Sequence, residues 1–358
     1  MAFPRGLRVL LGLASAVVIV AGLKGAAGLI GMTFLTLVLA IAVHPLQAWL
    51  ARRMPGWLST VLCLVAVYVA LVALGGALVV STAQFVSLLP AYEARFDVMV
   101  AQLNDRLAGL GISEQPLRAL TSSLNLSNVT GLVTNAMAGV LGVTSNLLLV
   151  IALLFLLTID GSRFPRLLST AAQSRPAIVR ALVDFVHSTR RYMIVATVFG
   201  LIVAILDMVA LIILGIPAPV LWGLLAFLTN YIPNVGFVIG LIPPAILGLL
   251  SGGPGVMIAV VVVYCLINLI IQSGIQNRVV GGSVGISPSL TFLSLVFWSW
   301  VIGPLGAVLA IPLSLLVRAV LVDADPQSRW LRPLVANKNT EDAPVDPDTS
   351  RSPGDEST

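Results

Sequence analysis

Charge is scarce in this chain of 358 residues: 20 Lys and Arg and 15 Asp and Glu make up 10% of it, against roughly 25% in a soluble domain. Cysteine is nearly absent. Cys63 and Cys265 both lie inside apolar runs, which excludes a disulfide framework and a zinc site and leaves two packing or lipid-facing thiols. The two histidines, His44 and His187, belong to no HExxH pattern, and no metal site follows from them. Aromatics amount to 6% and are not interleaved with the basic residues, so the net charge of +5 gives no nucleic-acid footprint. GGSVG at 281–285 is followed by no Lys-Ser/Thr, so it is not a phosphate loop, and nothing resembles a nucleotide-binding domain. No cofactor is implied, and no catalytic constellation marks the chain as an enzyme.

What is abundant is apolar length. Hydrophobic residues make up 58% and mean hydropathy is +1.04, so lipid must be the main solvent. Runs at 7–23, 25–43, 58–80, 136–159, 192–214 and 255–275 each suit one membrane helix, since a span needs about 20 apolar residues. The first resembles a signal peptide, but no small-residue cleavage site follows and a second run begins at once, so it reads as a retained span. Two further runs, 218–250 and 290–317, are interrupted by Ile232–Gly236 and Gly303–Gly306 respectively. At about 1.5 Å per residue the former would measure roughly 50 Å, against a hydrocarbon core near 30 Å. Each must be kinked or fold back as a re-entrant hairpin. The fold expected is therefore all-α and polytopic, with about eight hydrophobic helical segments, two of them broken or re-entrant in the C-terminal half.

Basic residues set the orientation. Arg5 and Arg8 precede the first span, Arg52 and Arg53 follow the second, and Arg163, Arg166, Arg175, Arg180, Arg190 and Arg191 follow the fourth. Crossing the first four runs once each puts all of them on one side, which the positive-inside rule assigns to the cytoplasm. Residues 91–135, with three arginines against four carboxylates, lie on the other side. Both termini are then cytoplasmic whether the broken runs are spans or hairpins. Hairpins are favoured because they place Arg278 inside beside Arg318.

The chain divides accordingly. Residues 1–90 hold three spans. In 91–135, Tyr92, Phe96, Met99, Leu103, Leu107 and Leu110 recur at spacings of three and four, one face of an amphipathic helix that continues the third span. A fourth span occupies 136–160, and 161–191 is an arginine-rich cytoplasmic helical loop suited to lying at the headgroups. Residues 192–322 form a C-terminal core with broken helices. The tail, 323–358, is rich in Pro, Asp, Ser and Thr without periodicity and reads as disordered.

Polar groups at membrane depth are costly, so each asks for a reason. In LTNYIPNVGFVIGLIPP, from Leu228 to Pro244, Pro233 removes a backbone donor and Gly236 admits conformations other residues avoid. Non-helical backbone at that depth is tolerated where it is buried in protein or lines a cavity. With Asn230 and Asn234 beside it, the break is either a solute-binding element or a kink satisfied by its neighbours. The second interruption, with Gly303, Pro304 and Gly306 as a hinge, favours the first reading, because paired breaks point to a transport site. Asn268, Gln272 and Gln276 share one helix face with Asn277 adjacent; they line a path or bond the broken helices. Asp207 is the one carboxylate inside a spanning run and needs a partner, a cation or a proton. Asp160, at a cytoplasmic helix end, reads as solvated.

The segments YMIVATVFGLIVAI from Tyr192, LGIPAPVLWGLLAFLTNYIPNVG from Leu214 and VGISPSLTFLSLVFWSWVIGPLGAVLAIPL from Val284 resemble the autoinducer-2 exporter family, also called PerM-type permeases. The likeness covers nearly the whole chain before the tail. It rests on Ile-Pro-x-x-Gly and on Gly-x-x-Gly-x-x-x-Ala-x-Pro ending at Pro312. It implies a permease of the bacterial inner membrane with both termini cytoplasmic and a homo-oligomeric assembly, a pentamer by the family. The family is associated with export of autoinducer-2 in some members and with sodium or lithium exchange for protons in others. Two positions depart from the pattern: Phe237 where a proline is common, and Arg278 and Val279 directly after Asn277.

The reading that follows is a secondary permease or exporter of a small polar solute, with Asn230, Pro233, Asn234, Gly236, Asn268, Gln272 and Asn277 along the path. Two alternatives stand beside it. One is a monovalent-cation/proton antiporter using Asp207; the other is a membrane scaffold that transports nothing.

Overall fold

The computed structural model describes residues 4–108, 147–161, 164–233, 235–271 and 287–324. Among them there is helix and no strand, as expected where lipid offers the backbone no hydrogen-bonding partner. Of the expectations above, the amphipathic face beyond Tyr92, the residues of 109–146 and the tail from 325 lie outside what can be described, as do Asn234, Gln272, Gln276, Asn277 and Arg278.

Helices α1 (Arg5–Gly25) and α2 (Ala27–Ala51) are joined at Ala26. Pro45 sits inside α2 and has no N–H for the Ile41 carbonyl one turn back; the Arg190 Nε donates to that carbonyl instead, at 3.3 Å. This replaces the missing helix bond and ties α2 to a helix 149 residues away. Helix α3 (Gly56–Ala108) has 53 residues, about 80 Å at 1.5 Å per residue. It runs unbroken through position 91, and Tyr92 packs on the core of the C-terminal half. Then come α4 (Leu147–Gly161), α5 (Phe164–Ser174) and α6 (Pro176–Ile213), the last begun by Pro176, where a missing N–H is harmless.

The C-terminal half is built from three antiparallel turns of helix on helix. Helix α7 (Pro219–Thr229) is followed by a break and by α8 (Gly236–Asn268). A Cβ on Gly240 would lie 3.2 Å from Thr229 Oγ1 and 3.7 Å from the Ala226 Cα. Position 240 therefore faces 226 and 229, and the 218–250 run doubles back on itself. Helix α8 doubles back again at Gly253, whose φ of 77° and ψ of −170° belong to no helix and are open to glycine. Gly248 lies against Met257, its ideal Cβ 3.3 Å from the Met257 Cα. The sequence expectation of a separate span over 255–275 thus becomes the second arm of a helical hairpin, because Gly253 and Pro254 turn the chain without releasing it.

The third turn joins α9 (Pro288–Ile302), started by Ser287 accepting from the Leu290 N–H at 3.3 Å, to α10 (Pro304–Val308) and α11 (Ala310–Arg318). Gly303 has φ 84°, and Trp298 Nε1 donates to Ser314 Oγ at 3.0 Å across the fold. Both interrupted runs are hairpins. After α11 a π-helical turn, Ala319–Asp323, is closed by an Arg318–Asp323 ion pair at 3.3 Å.

Among the described residues four helices are long and apolar enough to cross a bilayer, Ala27–Ala51, Gly56–Leu88, Pro176–Ile213 and Gly236–Ile271, the last only when both arms of its Gly253 hairpin are counted; α1, α4, α7 and α9 contribute shorter apolar lengths. Their outward faces carry Leu, Ile and Val, as in Leu13, Val18, Ile213 and Leu293, the arrangement expected where lipid covers the surface. Among the described residues two large cores and a small cluster of Val195, Phe199, Val203 and Ile271 hold the bundle. One joins α2 (Phe34, Val38), α6 (Phe185, Met193), α9 (Leu295, Trp298) and α11 (Leu313, Leu315). The other joins α3 (Leu78, Phe85), the end of α6 (Leu211), α7 (Trp222) and both arms of α8 (Leu247, Val260, Tyr264).

Candidate functional site

Between α6, the end of α7 and the two arms of α8 lies a cavity of about 10 Å³, room for about one water. Its lining is rich in oxygen for so apolar a protein: Asp207, Thr229, Asn230, Tyr264 and Asn268, with Val203, Ala226, Phe237 and Gly240. Each polar member is there for a local reason. Asp207 is on the inward face of α6 in line with Ala196, Val203 and Ala204, all buried. Tyr264 and Asn268 are one turn apart on the returning arm of α8, both buried, and the Asn268 Nδ2 donates to the Tyr264 carbonyl at 3.1 Å. Thr229 ends α7 with its hydroxyl donated to the Ala226 carbonyl at 3.3 Å. Gly240 leaves space for it.

Asp207 is 1% exposed, and its Oδ1 meets no hydrogen-bond partner among the described residues; the same holds for the hydroxyl of Tyr264, also 1% exposed. A buried carboxylate oxygen without a donor is costly. The surroundings add to the negative potential. Helix α7 ends at Thr229, a residue of the lining, so the negative end of its dipole lies beside the same small volume. After Asn268 the backbone widens into a π-turn over 269–271, a geometry found mostly at functional sites. A hard, oxygen-lined volume of this size and sign suits a proton or one small cation. An organic solute needs the hairpin to move.

The break itself, Asn230–Val235, is pinned to α6 at three points. The Asn230 Nδ2 donates to the Ala196 carbonyl at 2.9 Å, the Tyr192 hydroxyl donates to the Tyr231 carbonyl at 2.8 Å, and the Tyr231 and Thr197 hydroxyls share a hydrogen bond at 2.7 Å. Gly200 lets Asn230 come this close: an added Cβ would lie 2.9 Å from its Nδ2. Inside the break the chain turns through short bonds, Ile232 N–H to the Thr229 carbonyl at 2.8 Å and Val235 N–H to the Pro233 carbonyl at 2.7 Å. A Cβ on Gly236 would collide with the Thr229 carbonyl, which is why glycine stands there.

Of the residues singled out from the sequence, Asp207, Asn230 and Asn268 meet in one cavity, and Pro233 and Gly236 shape the break beside it. Asn234, Gln272 and Asn277 lie outside the described residues. Gly303, Pro304 and Gly306 form the other hairpin's turn, where a Cβ on Gly306 would strike the Trp298 carbonyl. Tyr231, Ile232 and Val235 from the first break and Ile302 and Leu305 from the second pack against the same apolar core. Residues that sequence reasoning passed over are Tyr264, Thr229, Tyr192, Thr197 and Tyr231. Tyr264 had a signal: it extends the Asn268–Gln272–Gln276 stripe by one more step of four.

Comparison with known proteins points the same way. The sequence profile described as AI-2E family transporter matches residues 13–324. Over 310 residues the chain is 30% identical to "Putative transport protein YhhT" of Escherichia coli (strain K12), covering 86% of this chain and 88% of that one. Over 325 residues it is 30% identical to "AI-2 transport protein TqsA" of the same strain, with 88% and 92% covered.

Proposed function

Because the chain belongs to the AI-2E transporter family, we propose that it carries a small polar solute across the bacterial cytoplasmic membrane as a secondary permease or exporter. The observation behind this is the buried oxygen-lined cavity placed beside a broken hairpin, an arrangement that offers polar groups at membrane depth. Asn230, Pro233, Asn234 and Gly236 supply the opened backbone and amides; Asn268, on the returning arm of α8, continues the path, with Gln272 and Asn277 following it in sequence. Gly303, Pro304 and Gly306 are the hinge on which the second hairpin moves against the first. Autoinducer-2 or a related signalling metabolite is the candidate solute, by the name of the relative TqsA. In this reading the protein is not an enzyme. Both termini face the cytoplasm, each broken run re-enters the bilayer from one side, and the chain works as a homo-oligomer.

The Asp207 Oδ1, without a hydrogen-bond partner among the described residues, and the one-water volume favour a second role in the same cavity, binding of a monovalent cation or proton that drives or replaces solute movement. The test is purified full-length protein in liposomes, screened for uptake of hydroxylated furanones, other polar metabolites, sodium and lithium, with internal pH followed. Solute uptake above protein-free liposomes supports the first reading. Cation flux with opposite proton movement and no solute uptake supports the second. No flux of any kind across the panel refutes both.

A further inference from the structure

The cavity is shut in two different ways at its two ends. Toward the end of α6 it is closed by apolar packing of Leu211 and Val260, both 0% exposed, with Trp222 and Phe85 at 2%, and the one polar atom among these side chains, the Trp222 indole N–H, is held by the Pro217 carbonyl at 3.0 Å. Toward the start of α6 it is closed by the broken segment, held there by three hydrogen bonds between Tyr192, Ala196 and Thr197 on α6 and Asn230 and Tyr231, beside the packing of Tyr231, Ile232 and Val235 on the apolar core. Thr197 and Tyr192 precede Asp207 by 10 and 15 residues, about 15 and 22 Å along the helix. Beyond them the same helix carries Arg191, Arg190, Arg180 and Arg175, the end that the positive-inside rule assigns to the cytoplasm.

From this we infer that Tyr192 and Thr197 are positioning residues of a cytoplasmic gate: they hold the Asn230–Val235 break against α6, and releasing them opens the Asp207 cavity to the cytoplasm. The inference rests on the transporter reading for its purpose but not for its test. Three features make the contact a gate. It is made by hydroxyls and an amide, groups that exchange a protein partner for water at little net cost. Asn230 belongs both to the seal and to the cavity lining, so lifting it uncovers the cavity directly. And the segment being held is already non-helical, so moving it breaks no regular helix.

The experiment is thiol accessibility in the full chain, with Cys63→Ala and Cys265→Ala as background and Ile232→Cys as reporter inside the break. A membrane-impermeant maleimide is applied to inverted and to right-side-out membrane vesicles, and a Ser251→Cys reporter near the Gly253 turn serves as control. Tyr192→Phe with Thr197→Val keeps the rings and volumes and removes the two hydrogen bonds that hold Tyr231, together with the Thr197 bond to the Met193 carbonyl of its own helix. At about a fivefold change in equilibrium per neutral bond, labelling at position 232 is expected to rise roughly tenfold or more in inverted vesicles, with position 251 unchanged. Should the double variant fail to fold, Gly200→Ala displaces Asn230 without touching either hydroxyl and carries the same expectation. Unchanged labelling at position 232, or an equal rise from the outer side, overturns the gate. No solute enters the assay, so a chain that moves nothing on a transport panel still reports on the gate, and a rise in labelling beside absent flux would sink the solute assignment alone.

Discussion

Gly236→Ala is expected to abolish transport, and the structure sets its size. The added Cβ would overlap the Thr229 carbonyl oxygen and lie 2.7 Å from its carbon. Both partners are backbone of the same hairpin, so no side chain can swing aside, and α7 and α8 must separate by about 1 Å or more to reach ordinary contact. Overpacking of this kind costs about 1–3 kcal/mol. The displacement also strains the bonds from Ile232 N–H to the Thr229 carbonyl and from Gly236 N–H to the Ile232 carbonyl, at 2.8 and 2.9 Å, each worth about 1 kcal/mol. Roughly 3 kcal/mol is enough to shift the hairpin's equilibrium about a hundredfold. The matched control is Gly255→Ala, whose Cβ would meet nothing within 4 Å and whose cost is within about 0.5 kcal/mol. Liposome flux together with denaturant unfolding in detergent reads both variants. Gly236→Ala should lose at least tenfold in flux and Gly255→Ala less than about twofold. Parental flux and stability in Gly236→Ala would refute the packing argument, and equal losses in both variants would show that the break has no special place.

Two other expectations test the energetics. Asp207→Leu removes a buried oxygen that has no partner, so unfolding stability should hold or rise by about 1–3 kcal/mol; a loss of about 2 kcal/mol or more would mean that the carboxylate is structural. Arg190→Leu leaves the Ile41 carbonyl without its donor at the Pro45 kink and should destabilise by about 1–3 kcal/mol, with Arg190→Lys recovering part of it; unaltered denaturation of both variants would remove this tie between α2 and α6.

The breaks were legible because Pro233, Gly236, Gly303 and Pro304 are residues that interrupt helices wherever they stand, and Asp207 because a carboxylate in an apolar run has few meanings. Hairpin folding was less so. Charge placement gave the same termini for spans and hairpins, leaving Arg278 to tip the balance. What decides it in three dimensions is close packing of Gly248 on Met257 and of Gly240 on Thr229, pairs that no local pattern announces. Tyr264 was hidden for a related reason. A tyrosine in VVVVYCLIN reads as core until Gly253 turns α8 back and brings it to Asp207. Tyr192 and Thr197 carry no signal of their own in the run from 192, and their contacts appear when Tyr231 is set beside them.

The central claim is that transport runs through the cavity at Asp207. Flux of whichever solute or cation the parent moves, measured in liposomes for the parent and for Asp207→Asn at equal reconstitution, tests it most directly. The account predicts at least a tenfold loss in the variant with its unfolding midpoint at or above that of the parent. Equal flux in the two proteins would contradict it.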